Sequence, residues 1–422
     1  PGMDFAFGFT GDGYIDRALQ NDWLICNDSV VSPASSNALE DLQLRISLEP
    51  IRDLKIDLTA NRTRNRSREI QYMFEGMPDT RSGNFSMSII SIGSAFERPS
   101  AGDGYHSGTF ERFRRNLDVI RDRVESQFLG AQYPQGSILA GKTFDPANGT
   151  ISKHSPDVMI PAFLAAYTGK SARNSALDFF PSLFSMMPNW RITYTGLTKI
   201  AWFKKNFRSV NLNHAYRSTY SVGSYNTFQS FMSYMGDIGF VEDVQSGNPI
   251  PSSRFDISMV SINEQFSPLI GMDATLKNGL TAKVEYKTSR ILNLSMSACQ
   301  LVETASRDFV IGLGYKIVNF NLFSGRNVKD SKNRVSHDLA LRADISFRNQ
   351  SALCRDIQQG FAQATNGNKA LKISCSADYT LSRLLTLRLY YDRQQNTPLV
   401  SSSSYPVVSA DFGFSMKFSL TR

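Results

Sequence analysis

Long stretches of this chain alternate strictly between apolar and polar residues, and that period of two is what most limits the folds open to it. Near the end, Val408, Ala410, Phe412, Phe414, Met416, Phe418 and Leu420 are apolar, with Ser409, Asp411, Gly413, Ser415, Lys417 and Ser419 between them. Successive strand side chains point to opposite faces, so this run has one oily face and one polar face. The pattern recurs over 42–48, 54–60, 309–317, 339–347, 371–380 and 385–392. No apolar face in these runs carries a charge.

Two environments produce such faces: a sheet packed on a soluble core, or a barrel with lipid outside and water inside. The second is favoured. Runs of nine residues or more, such as 309–317 and 408–420, exceed the usual five or six of soluble strands and match the roughly 9–11 that cross a bilayer at a tilt. A charge on the outer face would cost about 2–4 kcal/mol at mid-membrane, which explains its absence there. Leu385, Leu387, Phe412, Phe414, Met416, Phe418 and Leu420 are thus expected to face lipid. Arg342, Asp344, Lys372, Asp378, Arg388, Asp392, Asp411 and Lys417 are expected to face the lumen. The predicted fold class is all-β: a segment of a transmembrane antiparallel β-barrel, with a partly helical insert.

Connections are predicted to alternate in length. Residues 49–53, 277–279 and 381–384 read as tight turns, whereas 303–308, 349–369 and 392–406 read as longer polar loops. Residues 324–337 do not fit that alternation, being too long for the short rim, and 281–302 is either one strand or two with a turn near Ser289. Asn278-Gly279 supplies a residue that tolerates positive φ, so Leu276 can pair with Leu280, and Leu48 is expected opposite Leu54.

Residues 97–189 break the alternation and divide the chain into strands over 1–96, an insert, and strands over 190–422. Phe110, Phe113, Leu117, Ile120 and Val124 recur at helical spacing, with Thr109 as the expected cap. A second helix is predicted from Ser155-Pro156 to Gly169. Between strands at 84–95 and 190–197, this insert should emerge from the long-loop rim and cover or plug the opening. No apolar run approaches the length of a membrane-spanning helix; the longest, 158–167, is about half of one.

Charge and chemistry motifs point elsewhere only weakly. Against 38 acidic residues stand 46 basic ones, but they are spread out, and the dense group Arg62, Arg64, Arg66 and Arg68 reads as a solvated loop, not a nucleic-acid surface. Four cysteines (26, 299, 354, 375) and four histidines (106, 154, 214, 337) show no metal or disulfide spacing, and neither metal nor cofactor is expected. Gly136–Thr143 matches the phosphate-loop pattern GxxxxGK[ST], yet no apolar strand precedes it, and Pro146 and Gly149 follow. His214 is the strand-borne histidine, and no catalytic partner can be assigned to it, so catalysis is not expected.

Several runs resemble a known family. Pro188-Asn189-Trp190-Arg191-Ile192-Thr193-Tyr194-Thr195-Gly196-Leu197 is one, and Leu212-Asn213-His214-Ala215-Tyr216-Arg217-Ser218-Thr219-Tyr220 is another. Gln265–Gly271, Lys277–Leu280 and Ile160–Ser171 belong with them. Together they resemble the C-terminal part of the SprA family, also called Sov. These are outer-membrane translocons of the type IX secretion system, which serves protein export and gliding motility. The resemblance implies a barrel of about 36 strands, of which this chain supplies the last dozen or so and cannot close alone. It implies passage of folded cargo through the lumen, with no catalysis. The implied partners are the rest of the barrel, secretion-system proteins that gate or plug it, secreted cargo and outer-membrane lipid, with no nucleic acid. Other classes compatible with the alternation are a small closed porin or receptor barrel, a soluble sandwich or adhesin, and an outer-membrane hydrolase.

Overall fold

The computed structural model describes residues 3–6, 13–23, 32–70, 79–318, 320, 338–381, 384–400 and 405–418. Strands dominate. In chain order they are β1 Ala34–Ile51, β2 Leu54–Ile70, β3 Asp79–Ser88, β4 Asn189–Tyr194 and β5 Phe207–Thr227. Short strands β6 Met232–Met235, β7 Ile238–Glu242, β8 Pro249–Ser253 and β9 Phe255–Asp256 follow. The rest are β10 Met259–Leu276, β11 Leu280–Ser295, β12 Gln300–Ile317, β13 Leu339–Asp356, β14 Ala362–Thr380, β15 Leu385–Pro398 and β16 Val407–Phe418. Helices are α1 Met3–Ala6, α2 Gly13–Gln20, α3 Gly108–Ser126, α4 Pro156–Tyr167 and α5 Ala201–Asn206.

One antiparallel sheet runs β1-β2-β3-β5-β10-β11-β12-β13-β14-β15-β16, and its strands are very long. The 18 residues of β12 extend about 60 Å at roughly 3.3 Å per residue. β6, β7 and β8 form a separate small sheet. As far as residue 418 the alternating segments lie in strands, and every strand but β16 continues well past its alternating part. Residues 303–308 are the middle of β12, not a loop. The expected 349–369 loop is a turn over 357–361, and the 392–406 loop begins only after Pro398. Short turns therefore occur at both rims. The break within 281–302 is at 296–299; Ser289 is mid-strand, opposite Gln265 and Ser306. The expected loop at 324–337 and Leu420 lie outside the described residues. The expected strand region 1–96 begins with α1 and α2 before β1.

The turns confirm the glycine reasoning and correct one register. Gly279 has φ +89, its N–H donates to the Leu276 carbonyl, and Thr275 pairs with Thr281. A Cβ there is disfavoured by conformation, so Gly279→Ala should lower stability by about 1–2 kcal/mol, measured by chemical unfolding. At the first turn Leu48 pairs with Ile56, and Ile51 with Leu54, because an irregularity between Leu48 and Ile51 shifts the ladder. Leu48 and Leu54 are not partners.

β3 and β4 are two halves of a single strand. β3 pairs with 62–70 of β2, and β4 with 54–59. Across from them, β5 accepts β3 at 219–226 and β4 at 212–216. Residues 89–188 thus leave the sheet and rejoin it mid-wall, not at a rim. Ser88 and Asn189 close the break: Asn61 N–H and Asn189 Nδ2 donate to Ser88 Oγ, and Asn189 Oδ1 accepts from Ser218 N–H.

The excursion folds into a lobe. Phe113, Ile120, Phe163 and Met159 are fully buried in its core, together with wall residues Phe85, Tyr220, Val260, Leu292 and Leu301. α3 is capped by Ser107, not Thr109. Ser107 Oγ accepts from Phe110 N–H at 3.1 Å. Thr109 instead donates its N–H and hydroxyl to Glu97. Apart from Asp157 in its first turn, α4 is apolar on all sides and buried nearly throughout, as a helix enclosed between layers should be.

Candidate functional site

The candidate site is the wall and its two faces. Cross-strand pairing carries one face continuously from β11 to β16: Leu313 lies opposite Ala282 and Ala343, Ala343 opposite Cys375, Cys375 opposite Tyr391, and Tyr391 opposite Phe412. These side chains form a bare apolar belt. Phe412, Phe414 and Phe418 are 72%, 59% and 61% exposed, so no layer of the described chain covers them. On β12 the belt spans 309–317. Nine residues are about 30 Å of strand, or roughly 21–25 Å of height at a tilt of 35–45°, matching the apolar band of a membrane barrel.

The opposite face collects the charged residues expected at the lumen. Arg342 and Asp344 face Ser376 and Ser374, Lys372 faces Ser346, and Asp378 faces Arg388, whose Nε lies 3.6 Å from its carboxylate. Lys417 faces Thr386, and Asp392 directly faces Asp411. That last pair is a like-charge contact, tolerable only where water screens it. Lys283, Glu285 and Lys287 form a further ion-paired ladder on the same face, at 3.0 and 2.9 Å. Tyr390 covers Gly413, where a Cβ would lie 2.3 Å from the Tyr390 hydroxyl.

The lobe lies on the belt face, beyond the end of the belt. The polar ties from the excursion to the wall reach that face: Ser91 to Ser218 and Glu264, Ser94 to Arg290, the Glu97 carbonyl to Arg307, and the Tyr105 carbonyl to Arg355. Among the described residues these ties place the lobe against the apolar face of the wall. The local reason is strand parity, since Ser88 and Asn189 end the half-strands with the chain turning out on the side of Phe85 and Met87.

The arginine group is also relocated. Arg62, Arg64, Arg66 and Arg68 are in β2, not a loop, on the belt face past Ala60. Arg62 lies 5.2 Å over Phe85 and Arg64 4.8 Å over Phe180 of the lobe. Arg62 and Arg66 pair with Glu40, and Arg68 with Asp16 and Asp79. Arg64 joins the lobe to the wall, while the other three tie β2 to β1, β3 and α2. The same zone holds two buried ion pairs, Glu264–Arg290 at 2.7 Å and Glu303–Arg355 at 3.0 Å. Alternation does not reveal them, because they occupy apolar-face positions beyond the bare belt.

His214 belongs to the belt face, half-buried, with Nδ1 2.6 Å from the Leu269 carbonyl and its ring near Trp190. Its hydrogen bond is to backbone. Gly136–Thr143 folds back on itself: Tyr133 N–H donates to the Lys142 carbonyl and Gly141 N–H to the Tyr133 carbonyl. A single 3-10 turn, Pro146–Asn148, follows in place of a helix. Among the described residues no cluster of His, Cys, Asp and Glu has metal-binding geometry, and no helix is long and apolar enough to cross a membrane. The sequence reading missed α5, where Trp202, 62% exposed, meets Phe203 and Phe207 at the belt rim. With Lys204 and Lys205 beside it, this is the amphipathic chemistry that favours a membrane–water boundary.

In the lobe, burial pushes the Asp157 carboxyl up from its ordinary range, and hydrogen bonds from Ser253 and Ser252 only partly oppose this. The folded state then holds this proton more tightly than the unfolded one. Stability falls as pH rises from the ordinary carboxylate range, about 4, through the raised value. Asp157→Asn keeps an acceptor for Ser253 N–H and should flatten that decline, seen as thermal unfolding of the lobe followed against pH.

No protein-family model matches the chain, and no curated protein matches it. Among solved structures, OmpT (in-vitro folded), an outer membrane protein of Vibrio cholerae in its trimer form, is similar to 92% of this chain and 99% of its own, at 9% identity and a TM-score of 0.23. At that score the likeness decides nothing about shape or chemistry, and what can be concluded comes from the chain itself: it is an all-β, antiparallel, two-faced wall with a helical lobe on its apolar side.

Proposed function

We propose that this chain is a section of the wall of a large outer-membrane β-barrel, and that the barrel is the protein-conducting translocon of the type IX secretion system. The observation that carries the first part is strand parity. The sheet path has eleven positions, all neighbours antiparallel, so β1 and β16 run in the same direction. Neither has a second neighbour on its outer edge among the described residues. Single-chain bacterial barrels have even strand numbers, so that every seam is antiparallel. Closure of this wall on itself would need a parallel seam. Further strands between its two edges remove that difficulty and satisfy two long rows of backbone donors and acceptors, which a bilayer would otherwise leave unpaired at several kcal/mol each.

The translocon assignment is supported by the resemblance of 188–197, 212–220, 265–271 and 277–280 to that family, all of them in or beside the wall. In this reading the polar face, with Arg342, Asp344, Lys372, Asp378, Arg388, Asp392, Asp411 and Lys417, lines a wide hydrated lumen. The belt faces lipid. Folded cargo passes by diffusion through the lumen, and partner proteins gate or plug it, with no covalent step in the wall.

Cysteines introduced at Ser47 on β1 and Ser415 on β16, in a background lacking the native cysteines, test the assignment. The expected result is no intramolecular cross-link in membranes, together with periplasmic retention of secreted proteins when the gene is disrupted. An efficient β1–β16 cross-link and single-channel conductance from the isolated chain would establish the small closed porin instead.

A further inference from the structure

At the lobe end of the belt, the apolar rows give way within one side-chain step to a polar row. Phe309, Phe347 and Leu371 are cross-strand neighbours, 41%, 46% and 36% exposed. The next same-face positions are Arg307, Asn349 and Lys369, again direct neighbours. This row floors a cavity of about 350 Å³ between wall and lobe, roofed by Pro99 and Tyr105. Two carboxylates also line it, and both are engaged. Glu97 accepts from Ser107 and Thr109, and Glu303 from Arg355. Arg290, also in the wall of the cavity, is paired with Glu264. Arg307 spends one N–H on the Glu97 carbonyl, and neither it nor Lys369 has a carboxylate partner among the described residues. Two cations without ion-pair partners and an amide thus stand at the edge of an exposed apolar surface, and the Glu97 carboxylate, held by neutral donors, leaves the cavity with a net positive lining.

Below them the surface continues in the right shape. Ile311, Ile345 and Ile373 form the next row, and then comes a hollow of about 330 Å³ where Ala343 and Cys375 replace larger side chains beside Leu313 and Tyr391. From Asn349 to Ala343 is six residues, about 20 Å of strand, or roughly 15 Å of depth at the usual tilt. That is about half of the roughly 30 Å hydrocarbon core.

We propose that Arg307, Asn349 and Lys369 seat the phosphate-bearing headgroup of an anionic membrane lipid, whose acyl chains lie along Phe309, Phe347 and Leu371 toward the hollow at Ala343. The inference rests on the membrane reading above. A lipid source is favoured over a soluble phosphate because the cations adjoin the belt directly, and a lone anion would leave the hollow and the aromatic row uncovered.

The test places a local fluorophore, Phe347→Trp, in the membrane-reconstituted protein, with the parent protein's signal subtracted. Quenching is compared between bilayers of brominated phosphatidylglycerol and brominated phosphatidylcholine. The anionic lipid should associate about thirtyfold more strongly, since each basic side chain near a lipid surface is worth about 1 kcal/mol. Arg307→Gln with Lys369→Gln should bring the ratio near one, and Arg307→Lys should preserve it. Should the double variant fail to assemble, high salt on the Phe347→Trp protein must erase the preference instead. Equal quenching by both lipids overturns the seat and leaves the membrane reading standing. Loss of the preference on adding inorganic phosphate, at an ionic strength where sodium chloride preserves it, overturns the lipid as occupant. No quenching by either lipid overturns both readings.

Discussion

Leu313→Arg should prevent most of the protein from assembling in the outer membrane, while Ser374→Arg should leave assembly nearly unchanged. Leu313 is 48% exposed in the middle of the belt, opposite Ala282 and Ala343. Ser374 is on the other face, between Asp344 and Asp392. An arginine at the bilayer midplane costs about 2–4 kcal/mol, which is roughly 30- to 1000-fold in the assembled fraction. The same side chain among the carboxylates of a hydrated face should change stability by less than about 0.5 kcal/mol. Heat-modifiable migration and membrane fractionation of the two variants give the comparison. Equal behaviour would mean that both faces meet water, and the barrel reading would fail.

Arg355→Met should loosen the lobe from the wall at a cost of about 3–5 kcal/mol, the penalty for stranding a buried charge. Arg355 is 1% exposed. Its guanidinium donates to Glu303 at 3.0 and 3.1 Å and to the Tyr105 carbonyl at 2.6 Å, and lies over the Phe110 ring. Removing it leaves Glu303 buried without its ion-pair partner and leaves the lobe without that tie to β13. The double change Arg355→Met with Glu303→Leu should recover most of the loss, since a matched apolar pair carries no uncompensated charge. By contrast Arg348→Met, which breaks the exposed pair with Asp308, should cost less than about 1 kcal/mol. Limited proteolysis within 89–188 reads lobe release directly. If Arg355→Met and Arg348→Met are cleaved at the same rate, the buried pair is not what holds the lobe.

The contrast between these two pairs shows where the sequence was readable. Asp308 and Arg348 lie on the polar face, where the alternation assigns charge. Glu303 and Arg355 occupy apolar-face positions of the same strands, β12 and β13, a few residues farther on. There the pattern breaks, and 303–308 looked like a loop for that reason alone. Arg62 to Arg68 looked like a loop for the same reason. In each case the strand continues because its ladder is hydrogen-bonded regardless of side-chain polarity, and the lobe supplies partners that make charge on that face tolerable.

Local sequence is enough to specify the two faces, the wall that carries them, the Asn278-Gly279 turn and the two helices of the insert. Each of these depends on residues within one turn or one strand, so local periodicity and positive φ are enough to specify it. Tertiary structure alone decided that β3 and β4 are one interrupted strand, that the lobe sits on the apolar side, and that β1 and β16 end the sheet running in parallel. Those outcomes rest on contacts between residues as distant as Tyr105 and Arg355, or Asn61 and Ser88, and no spacing along the chain encodes which partners will meet.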